Sequence, residues 1–131
     1  MANNKVFTPS DYIERLDKKF NLIDSDIIDD CCGHGAWLKY AKDKGYKVWG
    51  CDIVPENCIE TIKLLYGEGE IKQLIGDNIP EIMRGPGIQG VFEHNGTLIT
   101  NIVCADSLEY LMNFDSIREK EKFGHNLFTI E

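Results

Sequence analysis

Two short apolar runs separated by one helix's length of chain constrain this sequence most. DIIDD, residues 26 to 30, centres on Ile27 and Ile28, and YKVWGCDI, residues 46 to 53, repeats the pattern. Between them, residues 34 to 44 place Trp37, Leu38 and Ala41 at helical spacing and turn their lysines outward. Gly45 ends that helix. A strand, a helix and a second strand in this rhythm pair in parallel through a right-handed crossover. The rhythm then repeats, because Pro55 opens a helix through about Tyr66 that carries Cys58, Ile59, Ile62 and Leu65 on one side.

The flanking segments extend the pattern. TPSDYIERLDKKF, residues 8 to 20, reads as a helix capped by Thr8 or Ser10, with Tyr12, Ile13, Leu16 and Phe20 on one face. Residues 67 to 90 are rich in glycine and broken by Pro80 and Pro86, with a short helix expected around Asp77 to Met83. Asn95-Gly96 between two β-rich runs is a hairpin signal, so a third parallel strand, about 98 to 105, follows an antiparallel ribbon. Ser107 caps a helix to Phe114, DSIREKEKFG is charged and exposed, and HNLFTI, residues 125 to 130, reads as a last strand. The expected fold class is α/β: a Rossmann-like three-layer sandwich with a truncated, mostly parallel sheet and an added β-hairpin. At 131 residues it forms a single domain, 1–131.

Charge and composition exclude some functions. Fourteen basic against 22 acidic residues leave a net charge of -8, which repels phosphate backbones. DNA is therefore expected to be met weakly or through a partner chain. The densest basic region, Lys18, Lys19, Lys39, Lys42, Lys44 and Lys47, reads as a solvated helix surface. No apolar run approaches the roughly 18 residues of a membrane span, and the N-terminus lacks the apolar core of a signal peptide. A cytoplasmic address and no membrane contact are expected. None of the five cysteines forms CxxC, so they read as thiols in a reducing compartment rather than a metal site.

The turn after the first strand carries the chemistry. Gly33 and Gly35 permit positive φ and close approach of backbone to a ligand. The helix that follows offers unpaired N–H groups and a positive partial charge. Asp29 and Asp30 precede the turn and would repel a phosphate, so the pattern suits a ligand with a cationic end whose carboxylate takes the N–H groups. Asp52, about 20 residues further on at the end of the second strand, is placed to accept from ribose hydroxyls. Ile53 offers an apolar face to adenine, and Asp106, at the third strand's end, an acceptor for its amino group. An amino-acid end, a ribose and an adenine describe S-adenosylmethionine. The competing reading makes Asp29 and Asp30 a helix-start signal, Asp52 a turn residue and Asp106 an N-cap.

These residues resemble the motifs of class I S-adenosylmethionine-dependent methyltransferases, most closely the DNA adenine-N6 methyltransferases. DDCCGHG resembles the family's D-P-x-C-G-S/T-G, with Asp29, Cys32, Gly33 and Gly35 in matching places, His34 for the small polar residue and Asp30 for the proline. GCDIVPENC resembles the second motif, with Asp52 as its carboxylate, and VCADSLEYL the third, with Asp106 and Ser107 near adenine. VFTP resembles the threonine-proline motif, which implies that Thr8 helps hold the methionine portion. The implied cofactor contacts are Thr8, Asp29, Cys32, Gly33, His34, Gly35, Asp52, Ile53, Asp106 and Ser107.

The family's catalytic loop, Asn or Asp, two prolines, then an aromatic, holds the flipped base. It has no counterpart here: the four prolines are Pro9, Pro55, Pro80 and Pro86. No catalytic residue is therefore assigned. The resemblance implies a partial or split methyltransferase that needs another chain for catalysis, and the alternative is a non-catalytic interaction protein that modulates a modification or restriction system. A weaker third reading is a small-molecule methyltransferase with His34 or His94 as base. A sheet edge left open beside the first strand implies a homodimer or heteromer.

Overall fold

In a computed structural model that describes residues 10–29, 33 and 35–114, the chain folds around a five-stranded mixed sheet. In chain order the elements are α1 (Ser10–Phe20), β1 (Ile27–Asp29), α2 (Ala36–Asp43), β2 (Val48–Asp52), α3 (Pro55–Tyr66), β3 (Ile71–Leu74), β4 (Ile88–His94), β5 (Thr97–Ala105) and α4 (Ser107–Met112). The helix and strand expectations that fall on described residues before residue 67 and after residue 87 are met nearly to the residue. HNLFTI lies outside the described residues.

The strand order is β1-β2-β5-β4-β3. β1, β2 and β5 run parallel, β4 is antiparallel to β5, and β3 is antiparallel to β4. The sheet is thus half antiparallel rather than mostly parallel. The missing expectation was β3, whose IKQL buries only Leu74 and gains its strand geometry from pairing with β4. The hairpin between β4 and β5 turns at Asn95 and Gly96, with φ of 51° and 84°, the two positive values that a type I′ turn requires. In place of the expected helix near Asp77–Met83 are two 3₁₀ turns, Gly76–Asn78 and Glu81–Met83. Pro80 between them supplies no N–H to continue a helix. The Arg84 guanidinium ties both together, donating to the Ile79 and Asp77 carbonyls at 2.9 Å each.

Two successive crossovers step the chain across the sheet in one direction, so α2 and α3 share a face. There Leu38, Ala41, Ile62 and Leu65 bury against Val48, Ile102 and Cys104. On the opposite face Tyr110 of α4 joins Cys51, Val103 and Ala105. Among the described residues, no helix is long and apolar enough to cross a membrane.

Helix α1 departs from its expected amphipathic face. Ile13 is buried and Leu16 half-buried, but Tyr12 is 53% and Phe20 57% exposed. A carboxylate docks the helix instead. Asp17 is buried and accepts from the Ile23 N–H at 2.6 Å, the Lys44 ammonium at 2.7 Å and the Tyr40 hydroxyl at 2.8 Å. Lys44 also donates to the Ile23 carbonyl at 2.6 Å. The hydrogen bond from Lys44, reinforced by the Ile23 N–H, holds the Asp17 carboxyl at about 2, below its ordinary 3.8.

A folded-state pKa below the unfolded one stabilises the fold at higher pH. Its contribution is complete above about pH 4 and drains as pH falls toward 2. Urea midpoints of the wild type and Asp17→Asn should therefore differ at neutral pH and converge near pH 2. A constant gap across that range would refute the role of this network.

Candidate functional site

Strand register places the three strand-end carboxylates on a staircase. Asp29 is level with Gly50, two residues short of Asp52, and Asp52 is level with Cys104, two residues short of Asp106. Each step is roughly 6–7 Å along the strands. Side chains alternate faces along a strand, and Ile27, Val48, Ile102 and Cys104 belong to the face that α2 and α3 cover. Asp29 and Asp52 share their parity, so both end their strands on that side.

Asp52 joins the first two strand-end turns. The residue is only 8% exposed. One oxygen, Oδ2, accepts from the Gly33 N–H at 3.1 Å, across 19 residues of sequence, and Oδ1 accepts from the Val54 N–H at 2.9 Å. A carboxylate offers about four acceptor directions, and these two bonds leave one on each oxygen. Asp52 is therefore the turn residue of the simpler reading, with acceptor directions left over.

The glycine turn has positive φ at both glycines, 55° at Gly33 and 83° at Gly35. Close approach at Gly35, however, is to protein. A Cβ there would lie 2.7 Å from Thr61 Cγ2 and 3.0 Å from Thr61 Oγ1. The Thr61 hydroxyl is directed at the Gly33 carbonyl at 3.0 Å and at its own helix's Asn57 carbonyl at 2.9 Å. Thr61 is the positioning residue that sequence reasoning missed. Its one signal was a polar residue on the inward stripe Cys58, Thr61, Ile62, Leu65 of α3.

Helix α2 starts at Gly35 in the left-handed region, with no side-chain cap and no acidic residue in its first turn. Ile53 and Val54, directly after Asp52, are 50% and 41% exposed. They form an apolar lip beside the carboxylate.

The third strand end differs from expectation. Asp106, not Ser107, caps α4, and its Oδ1 accepts from the Glu109 N–H at 3.1 Å. Ser107 is the first helical residue and half-buried. Ser107 cannot be the cap because the residue before it already has the extended backbone that a cap needs. Asp106 is exposed, so the cap bond does not bury it.

His94 stands apart from these residues. It ends β4 at the sheet's opposite edge, level with Thr97, where β5 begins. Nine residues of β5 separate that level from the Ala105 end, roughly 26 Å at strand rise. Its Nε2 lies 2.9 Å from the Gly67 carbonyl, a structural bond, so His94 is excluded as a base at this site. Thr8, Asp30, Cys32 and His34 lie outside the described residues. Among the described residues, no group of three or more His, Cys, Asp or Glu side chains is arranged to hold a metal.

What stands at the strand ends is thus a latched pair of turns: a glycine turn leading into a helix with glycine at its cap, a buried carboxylate with spare acceptor capacity, and an apolar lip. Compared with protein-family models, with curated proteins and with solved structures, the chain matches none.

Proposed function

We propose that this chain is the cofactor-holding part of an S-adenosylmethionine-dependent methyltransferase of the DNA adenine-N6 type, on a Rossmann-like fold. The observation that carries the reading is the bond from the Gly33 N–H to the Asp52 carboxylate. It brings the glycine turn and the ribose-type acceptor to one side of adjacent parallel strands. In this reading the start of α2 takes the cofactor's carboxylate, Asp29 faces its cationic end, Asp52 accepts from the ribose hydroxyls, and Ile53 packs on the adenine. Asp106 accepts from the adenine amino group with the oxygen that does not cap α4.

When bound, the sulfonium supplies an activated methyl group. The chain's residues include no Asn/Asp-Pro-Pro-aromatic run, so the loop that holds a target base would come from outside these 131 residues. The net charge of -8 also favours a partner for any contact with DNA. The same charge supports the second reading, a methyltransferase-fold module that binds other proteins and performs no transfer.

Titration calorimetry with S-adenosylmethionine tests the proposal. One-site saturable binding is expected. Ile53→Ala should weaken it roughly 5- to 30-fold, the equivalent of about 1–2 kcal/mol of lost apolar contact. Because Ile53 is half exposed, its melting temperature should hardly change. A well-folded protein that takes up no S-adenosylmethionine at millimolar concentration would overturn the cofactor reading and leave the interaction module.

A further inference from the structure

Two thiols beneath the β2–α3 turn have no part in the proposed binding site. Cys58, in the first turns of α3, and Cys104, on β5, are both fully or almost fully buried, and neither is in a disulfide. Cys104 is the register partner of Asp52. The Cys58 Sγ lies 3.5 Å from the Asp52 carbonyl oxygen and 3.4 Å from the Val103 carbonyl oxygen, and the Cys104 Sγ lies 3.5 Å from the Ile53 carbonyl oxygen. The two sulfurs thus converge on consecutive carbonyls of one turn. Ile53 and Val54 of that turn are themselves exposed. Cys51, the third buried thiol of the described residues, packs on the other face with Val103 and Tyr110.

We propose that Cys58 and Cys104 form a redox-sensitive dithiol, oxidised to a disulfide by a hydroperoxide, whose closure loosens the turn that Asp52 latches. When the turn opens, the Cys58 sulfur, as thiolate, attacks the peroxide. An S–O bond forms as O–O breaks, leaving a sulfenic acid and, from hydrogen peroxide, water. Cys104, as thiolate, then attacks that sulfur, the S–S bond forms, and hydroxide leaves to take up a proton as water. Two thiols lose two electrons and two protons, and one peroxide becomes two waters. Burial, and secondarily the Asp52 charge, push the Cys104 thiol's pKa up, which keeps it protonated and inert until the turn opens.

Closure has a mechanical consequence. A disulfide holds its sulfurs about 2.05 Å apart, closer than two non-bonded thiols can approach, so the start of α3 is drawn toward β5. It also removes both S–H donors from the Asp52 and Ile53 carbonyls. The N–H of Val54, held at 2.9 Å by Asp52 Oδ1, sits in that turn and reports on it. The inference goes beyond the cofactor reading and requires none of it.

The test uses the whole chain and hydrogen peroxide. After brief oxidation and alkylation without reductant, intact mass should fall by two hydrogens, reversibly with dithiothreitol, and peptide mapping should join Cys58 to Cys104. Cys58→Ser and Cys104→Ser, each checked for a native near-ultraviolet spectrum, should both abolish that linked peptide. Amide hydrogen exchange at Val54 should quicken about tenfold in the oxidised protein. The proposal fails if mapping yields only over-oxidised single cysteines or other pairs. It fails equally if the Cys58–Cys104 bond forms and exchange at Val54 is unchanged. Should one serine variant misfold, the other and the wild-type map still decide.

Discussion

Replacing Gly35 with alanine is expected to destabilise the protein by roughly 2–5 kcal/mol, as the sum of a left-handed backbone penalty of about 1–2 and an overpacking penalty of about 1–3. Both parts arise at one atom. Gly35 has φ of 83°, which an L side chain rarely adopts. The new Cβ would also sit 2.7 Å from Thr61 Cγ2, on a helix that the rest of the core holds in place. Urea denaturation measures the loss. A double-mutant cycle separates its parts, because Thr61→Ala removes the two closest atoms, keeping only the residue-61 Cβ at 3.1 Å, while leaving the dihedral penalty. Gly35→Ala should therefore cost less in the Thr61→Ala background than in the wild type. Equal costs in both backgrounds would mean that the contact with Thr61 is not the reason for glycine there.

Asp52→Asn should weaken S-adenosylmethionine binding by about 100-fold, or roughly 2.7 kcal/mol, and also lower stability. Each hydrogen bond to a charged group contributes about 1.5–3 kcal/mol net, and Asp52 accepts two from backbone N–H groups. An amide presents one oxygen and one NH₂, so one of Gly33 and Val54 would face a donor instead of an acceptor. The glycine turn then comes away from β2 just where the ligand should bridge them. Calorimetry and urea melts on the same preparation should show both losses. Asp52→Asn that binds as tightly as the wild type would remove Asp52 from the site. Lost affinity at full stability would assign it to ligand contact alone.

Local signals in the sequence were strong where one element decides its own form. Pro55 at the first position of α3 and the Asn95-Gly96 turn act through φ values that neighbouring strands do not set. The apolar stripes of α2 and α3 point Leu38, Ala41, Ile62 and Leu65 into one core because a 3.6-residue period leaves no other face. β3 was illegible because an edge strand with a single buried side chain is made by its partner's hydrogen bonds.

The candidate site divides in the same way. The glycines, Asp29, Asp52 and Asp106 could be picked out by spacing, since strand ends in a parallel sheet fall on one edge. What each side chain does there could not. Register and helix packing decide that Asp52 spans two turns, that Gly35 is a glycine because of Thr61, that Asp106 shares itself with an α4 cap, and that Asp17 docks a helix whose aromatic residues face water. By itself, then, the sequence determined the order of elements outside residues 67–87 and the parallel run of β1, β2 and β5, because periodicity and turn chemistry are local. Only the tertiary structure decided the partners of the polar groups, because a hydrogen bond across 19 or 28 residues exists only once the sheet register and the seat of α3 have brought donor and acceptor together.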